Sequence, residues 1–184
     1  CENVMIKNGK VKKNTAVGTV MTNMGFSKFC EANGIDFVST KVGDRYVLES
    51  MLQNGYNIGG EQSGHIIFLD HSTTGDGELS GAMVLSIMKR TGEKLSDLAK
   101  IMERYPQVLI NVKVSNEGKL SFYTDKEVKA EINRVTEILG DTGRILVRVS
   151  GTEPLVRVML EGENLEQIQT LAEEAAQVVR ERLA

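Results

Sequence analysis

The sequence predicts a mixed α/β chain in two parts: a mostly parallel sheet with flanking helices, then a smaller α+β unit. Three observations carry this reading. Short apolar runs alternate with helix-like stretches over residues 14–60. After Pro106 the pattern changes to a strict period of two, and the chain closes on one long amphipathic stretch. At roughly 100–200 residues per domain, 184 residues suffice for one large domain or two small ones.

The elements follow in order. Residues 15–21 read as a strand, 25–33 as a helix, 35–39 as a strand, 45–53 as a helix and 56–58 as a strand. Gly34 and Gly55 follow the two helices, where a left-handed residue closes the last turn. Residues 65–69 form a short apolar strand. Residues 78–89 form a helix carrying Leu79, Met83, Val84, Ile87 and Met88, with Asp76 placed to cap it. A second helix over 97–105, capped by Ser96, completes the first part, and Pro106 stops it. Val108, Ile110, Val112 and Val114 then alternate with Leu109, Asn111, Lys113 and Ser115, as on a half-buried strand. Thr124 and Glu127 make a capping box for a helix with Val128, Ile132, Val135 and Leu139 on one face and Gly140 at its end. Strands at 145–149 and 155–160 are joined by Ser-Gly-Thr-Glu-Pro. Asn164 caps the last helix, which carries Leu165, Ile168, Leu171, Ala175, Val178 and Val179. The expected order of the second part is βαββα, and the expected division is 1–106 and 107–184.

Charge and composition remove several classes. A formal charge of −3 argues against sequence-blind nucleic-acid binding, which rests on excess Lys and Arg. Nine aromatic residues and no Trp leave little for base stacking. Cys1 and Cys30 have no paired spacing, so neither a disulfide framework nor a zinc site is expected, and a reducing cytoplasm fits. No apolar run approaches the roughly 18 residues of a membrane span, so no membrane partner is expected. The first residue is Cys rather than Met, which leads to the expectation that the chain belongs to a longer polypeptide.

Three segments could carry chemistry. Arg148 to Val158 reads RVSGTEPLVRV, with Arg148 and Arg157 on the two arms of a tight connection and Ser150, Gly151 and Thr152 between them. Guanidinium forks and successive backbone N–H groups suit a phosphate, although a hairpin turn with solvated arginines fits the same spacing. Gly59 to His65 reads GGEQSGH and presents Glu61, Ser63 and His65 from a backbone of little bulk. Such a loop suits sugar hydroxyls, or is simply a glycine-rich connection. Asp70, His71, Asp76 and Glu78 lie close together, but lack the spacing of a calcium loop or a His zinc site; no metal ligand is assigned in this chain.

With these loops, the chain resembles the C-terminal part of the α-D-phosphohexomutase family over essentially its whole length. The markers are TVMTNMGF (Thr19 to Phe26), VGDRYV (Val42 to Val47), GGEQSGH, TTGDG (Thr73 to Gly77) and GRILVRVSGTEPLVRV (Gly143 to Val158). Gln62, between the Glu and Ser of the sugar loop, resembles the glucosamine branch rather than the glucose or mannose branches, which stay open as alternatives. So does a non-catalytic phosphosugar-binding module. The resemblance implies a partial α/β/α sandwich (1–106, sugar-binding) followed by a TATA-box-binding-protein-like α+β domain (107–184, phosphate-binding). It places sugar contacts on Glu61, Ser63 and His65, and phosphate contacts on Arg148, Ser150, Gly151, Thr152 and Arg157. It further implies an isomerase that moves a phosphoryl group through a phosphoserine and a sugar 1,6-bisphosphate with Mg2+. The serine and the Asp-rich metal loop have no counterpart in this sequence and would lie upstream. The implied partners are a phosphosugar and the remaining domains of the same polypeptide, and a homodimer is left open.

Overall fold

A computed structural model describes Met5 and residues 9–184; Cys1 lies outside them. The chain divides into two compact units, Cys1–Arg104 and Tyr105–Ala184. Each is mixed α/β and has its own sheet.

In the first unit, β1 (Thr15–Thr19) is central. It pairs in parallel with β2 (Asp36–Thr40) and β3 (Ile58–Gly60), and β4 (Ile66–Phe68) adds antiparallel to β3, giving the order β2-β1-β3-β4. Every residue of β1 is buried, as a strand covered on both faces requires. Adjacent side chains point oppositely, so Ala16 and Val17 enter two different clusters. Ala16 joins Cys30 and Ile35, with Phe26 and Phe29 of α1 (Met24–Ala32); Val17 joins Val47 and Met51 of α2 (Asp44–Asn54). Gly55 closes α2 at φ 71°, its N–H donating to the Met51 carbonyl, in the left-handed conformation its type suggested. Asp76 caps α3 (Gly77–Thr91) by accepting from the Leu79 N–H at 2.9 Å.

The helix expected over 97–105 is the main departure here. Only α4 (Leu95–Leu98) forms, and Ser96 lies inside it rather than capping it. Two features oppose continuation. Pro106 disfavours helical geometry at Tyr105, and the chain instead lays the Glu103 carbonyl on α1, where a Cβ on Gly25 would come within 1.8 Å of it. The third strand is also displaced, starting at Ile58 where the sequence suggested 56–58.

The second unit has an antiparallel sheet, β5 (Gln107–Lys113), β6 (Gly143–Val149) and β7 (Leu155–Gly162), in the order β5-β7-β6. Val112, Val156, Val158 and Leu160 face a core completed by α6 (Lys126–Leu139) and α7 (Leu165–Leu183), through Val128, Val135, Leu139, Ile168 and Val179. Two readings are corrected. Asp125, not Thr124, caps α6: its carboxylate accepts from the Glu127 and Val128 N–H groups, while Thr124 donates to the Ser121 carbonyl. An Asp in the cap position displaces the Thr of the expected box by one residue. Also, Leu165 is more than half exposed, since the buried stripe of α7 begins at Ile168. A short helix that periodicity did not suggest, α5 (Asn116–Ser121), precedes α6, so the order is β-α-α-β-β-α. Ser115 caps it, and Gly118 sits against the Leu183 carbonyl, which a Cβ would approach to 2.0 Å.

Candidate functional site

β2, β1 and β3 end on one edge of the first sheet, the edge where ligands of open α/β sheets are held. Three of the marked loops leave from it, and the Glu61 to His65 turn connects β3 to β4. The turn is closed by the Glu61 N–H donating to the His65 carbonyl (2.9 Å) and the Gly64 N–H to the Glu61 carbonyl (3.1 Å), with Gly64 at φ 104°, where a side chain would be strained. Glu61 is the organising group. Its Oε2 accepts the Gly43 N–H at 3.2 Å from the start of α2, and its Oε1 accepts the Ser63 hydroxyl and lies 3.2 Å from His65 Nδ1. Ser63 Oγ and His65 Nδ1 are 3.1 Å apart. The Glu61 side chain is 11% exposed and that of His65 50%, so an oriented carboxylate stands behind a hydroxyl and an imidazole open to solvent. Gly75 backs the imidazole: a Cβ there would meet His65 Cδ2 at 2.9 Å. Three side chains within hydrogen-bond reach can exchange their mutual bonds for bonds to hydroxyls of a ligand.

The second unit builds a different surface. Arg148 on β6 is directly opposite Arg157 on β7, and Asn111 on β5 is opposite Arg157 on its other side. Their neighbours Val147, Val149, Val156 and Val158 pack on the helices, so both arginines stand on the other face of the sheet. Like charges directly opposite are unfavourable without a counter-ion. Arg157 Nη2 donates to Glu153 Oε2 at 2.7 Å, but its Nε is buried with no hydrogen-bond partner among the described residues. Arg148 has no side-chain hydrogen bond or ion pair among the described residues. Burial first, and the charge of Arg157 second, push its guanidinium below the ordinary value. An orphaned buried donor costs about 1–3 kcal/mol. One anion bearing several oxygens would relieve both arginines.

The connecting loop completes this surface. Ser150 is buried; its N–H donates to the Leu155 carbonyl at 2.8 Å, and its Oγ accepts the Glu153 N–H at 3.3 Å. Gly151 and Thr152 are exposed, and nothing lies within 4 Å of a Cβ at Gly151, so a ligand can approach the backbone. Arg144, on the same strand as Arg148, is not a free cation. It holds the fully buried Glu161 opposite it, through Nε at 2.8 Å and Nη2 at 2.7 Å, and so is committed to the fold. Two residues that the sequence reading gave no role enter the site. Glu153 neutralises Arg157, and Lys119 of α5 donates to the Glu153 carbonyl at 3.0 Å. The helix carrying Lys119 is short, and its cap Ser115 was the one signal for it.

Two family models cover nearly the whole chain: the phosphoglucomutase/phosphomannomutase alpha/beta/alpha domain III over residues 1–105, and the C-terminal domain of the same group over 109–178. The chain belongs to the phosphoglucomutase/phosphomannomutase family. It is 52% identical over 183 residues to the phosphoglucosamine mutase of Caldanaerobacter subterraneus subsp. tengcongensis, matching 100% of this chain and 41% of that protein. It is 53% identical over 177 residues to the phosphoglucosamine mutase of Thermoanaerobacter sp. (strain X514), matching 96% and 40%. The chain therefore spans about 40% of the length of these relatives. Among solved structures, N-acetylphosphoglucosamine mutase of Aspergillus fumigatus shares the fold, with a TM-score of 0.82 at 19% identity over 98% of this chain and 41% of that one. The same enzyme solved with GlcNAc-6P and magnesium gives 0.78 at 16% identity, over 100% and 42%.

The family implies magnesium, and the described residues do not fit it. No group of three His, Cys, Asp or Glu side chains among them is placed to hold a metal ion. In the acidic loop, Asp70 accepts from Lys12 Nζ (2.5 Å) and Asn57 Nδ2 (2.6 Å), which hold its carboxyl below the usual range, and Asp76 is a helix cap. No described helix is long and apolar enough to cross a membrane.

Proposed function

We propose that this chain is the substrate-holding C-terminal part of a phosphoglucosamine mutase, an isomerase that interconverts glucosamine 6-phosphate and glucosamine 1-phosphate on the route to UDP-N-acetylglucosamine. The observation that carries this reading is the Arg148–Arg157 pair, among the described residues one guanidinium without a counter-ion beside another with an orphaned N–H, flanking an open Ser-Gly-Thr turn. The identity to named phosphoglucosamine mutases along the full chain supports the amino sugar over glucose and mannose.

In this reading Arg148, Ser150, Gly151, Thr152 and Arg157 hold the phosphoryl group that is not being transferred. Glu61, Ser63 and His65 hold ring hydroxyls. Both loops serve positioning, which matters because transfer needs an in-line approach of donor and acceptor. The phosphoserine, the Mg2+ ligands and the turnover of a sugar 1,6-bisphosphate belong to other parts of the proposed whole protein, in the cytoplasm. Calorimetric titration tests the reading. The chain should bind glucosamine 6-phosphate saturably, and glucosamine itself not measurably under the same conditions. Equal responses to both would sink it.

A further inference from the structure

The phosphate surface contains its own anion. Glu153 lies in the turn itself, four residues before Arg157, and its carboxylate sits 2.7 Å from Arg157 Nη2. Its backbone is fixed at three points: the N–H on Ser150 Oγ, and the carbonyl on the Leu155 N–H (2.8 Å) and on Lys119 Nζ (3.0 Å). The side chain, by contrast, is half exposed and has no other hydrogen bond among the described residues. An anchored backbone with a loosely held carboxylate is the arrangement of a displaceable counter-ion, because an ion pair this exposed to solvent contributes little. Its contact with Arg157 is also incomplete, since Nε stays unpartnered and Arg148 is not engaged at all.

We propose that Glu153 is a built-in competitor of the phosphoryl group: it occupies Arg157 when the surface is empty, yields when phosphate binds, and returns as phosphate leaves. This rests on the phosphate reading of the Arg148–Arg157 pair. It assigns Glu153 a positioning role that sets how tightly and for how long a phosphoryl group is kept. A surface of two cations without that carboxylate would hold a dianion more strongly than a reversible, reorienting substrate allows.

Glu153→Gln keeps the size of the side chain and removes its charge. Inorganic phosphate titrated into the 184-residue chain should bind about three- to tenfold more tightly to this variant, as loss of one nearby like charge warrants. The ratio between variant and parent should shrink from low to high NaCl, since a charge effect is screened and a packing effect is not. Unchanged far-UV circular dichroism would establish that both chains are folded. If the parent binds phosphate and the variant binds it equally or more weakly, the competitor role is wrong while the phosphate surface stands. If neither chain binds phosphate, both readings fall together.

Discussion

Arg148 shows how one side chain's surroundings decide its use. Its alternation with Val147 and Val149 could be read from the sequence, but its pairing with Arg157 and its lack of a counter-ion among the described residues depend on the register of β6 with β7, which no local pattern states. Glu61 shows the same limit: the glycine-rich string marked it, while the Gly43 N–H that orients it comes from a loop 18 residues away in sequence. Arg148→Lys keeps the charge but loses the planar fork, so phosphosugar affinity measured by calorimetry should fall at least tenfold, about 1.4 kcal/mol. Arg180→Lys on α7 changes a solvent-facing residue bonded to Gln177 and should leave affinity unchanged. Equal affinities in the two variants would return the turn to an ordinary hairpin.

Elements were legible where pattern and end signals agreed. α2 and α7 carried both the right period and a glycine or Asn at a boundary, and formed close to the expected limits. The failures have one tertiary and one local cause: the segment after α4 is taken by its contact with Gly25, and α5 is too short to show a period. The Asp125 cap leads to a pH prediction. The Val128 N–H, and secondarily Arg182, hold its carboxyl below the ordinary value. A folded value below the unfolded one stabilises the protein above the unfolded pKa, and the effect is lost as pH falls through the folded one. Asp125→Ala should therefore cost about 0.5–2 kcal/mol in urea denaturation at neutral pH, a difference that fades below roughly pH 4. The Arg144–Glu161 pair is a harsher case. Arg144→Ala leaves a buried carboxylate without this partner and should destabilise the second unit by about 3–5 kcal/mol, far more than Arg148→Ala. Similar denaturation midpoints for the two variants would refute the division between a structural and a binding arginine.

At the scale of the molecule, a period-two sheet after Pro106 and strand–helix alternation before it made the mixed α/β class readable, and five short motifs in order made the family readable. The chemistry was less so. Phosphoryl transfer needs a nucleophile and charge neutralisation, and neither the serine loop nor the Asp-rich loop that the proposed whole protein would use has a counterpart in these 184 residues. The purified chain should accordingly bind phosphosugar without converting it, even with Mg2+ and a sugar bisphosphate added; formation of glucosamine 1-phosphate in a coupled assay would overturn that expectation. The central claim, that two particular loops hold a phosphosugar, is tested most directly by 1H–15N NMR of the labelled chain during titration with glucosamine 6-phosphate. The account predicts saturable shifts of the Gly151, Thr152 and Arg157 amides and of the Glu61 to His65 turn, with inorganic phosphate moving the first set alone. Saturable shifts confined to other residues, or none in either loop, would contradict it.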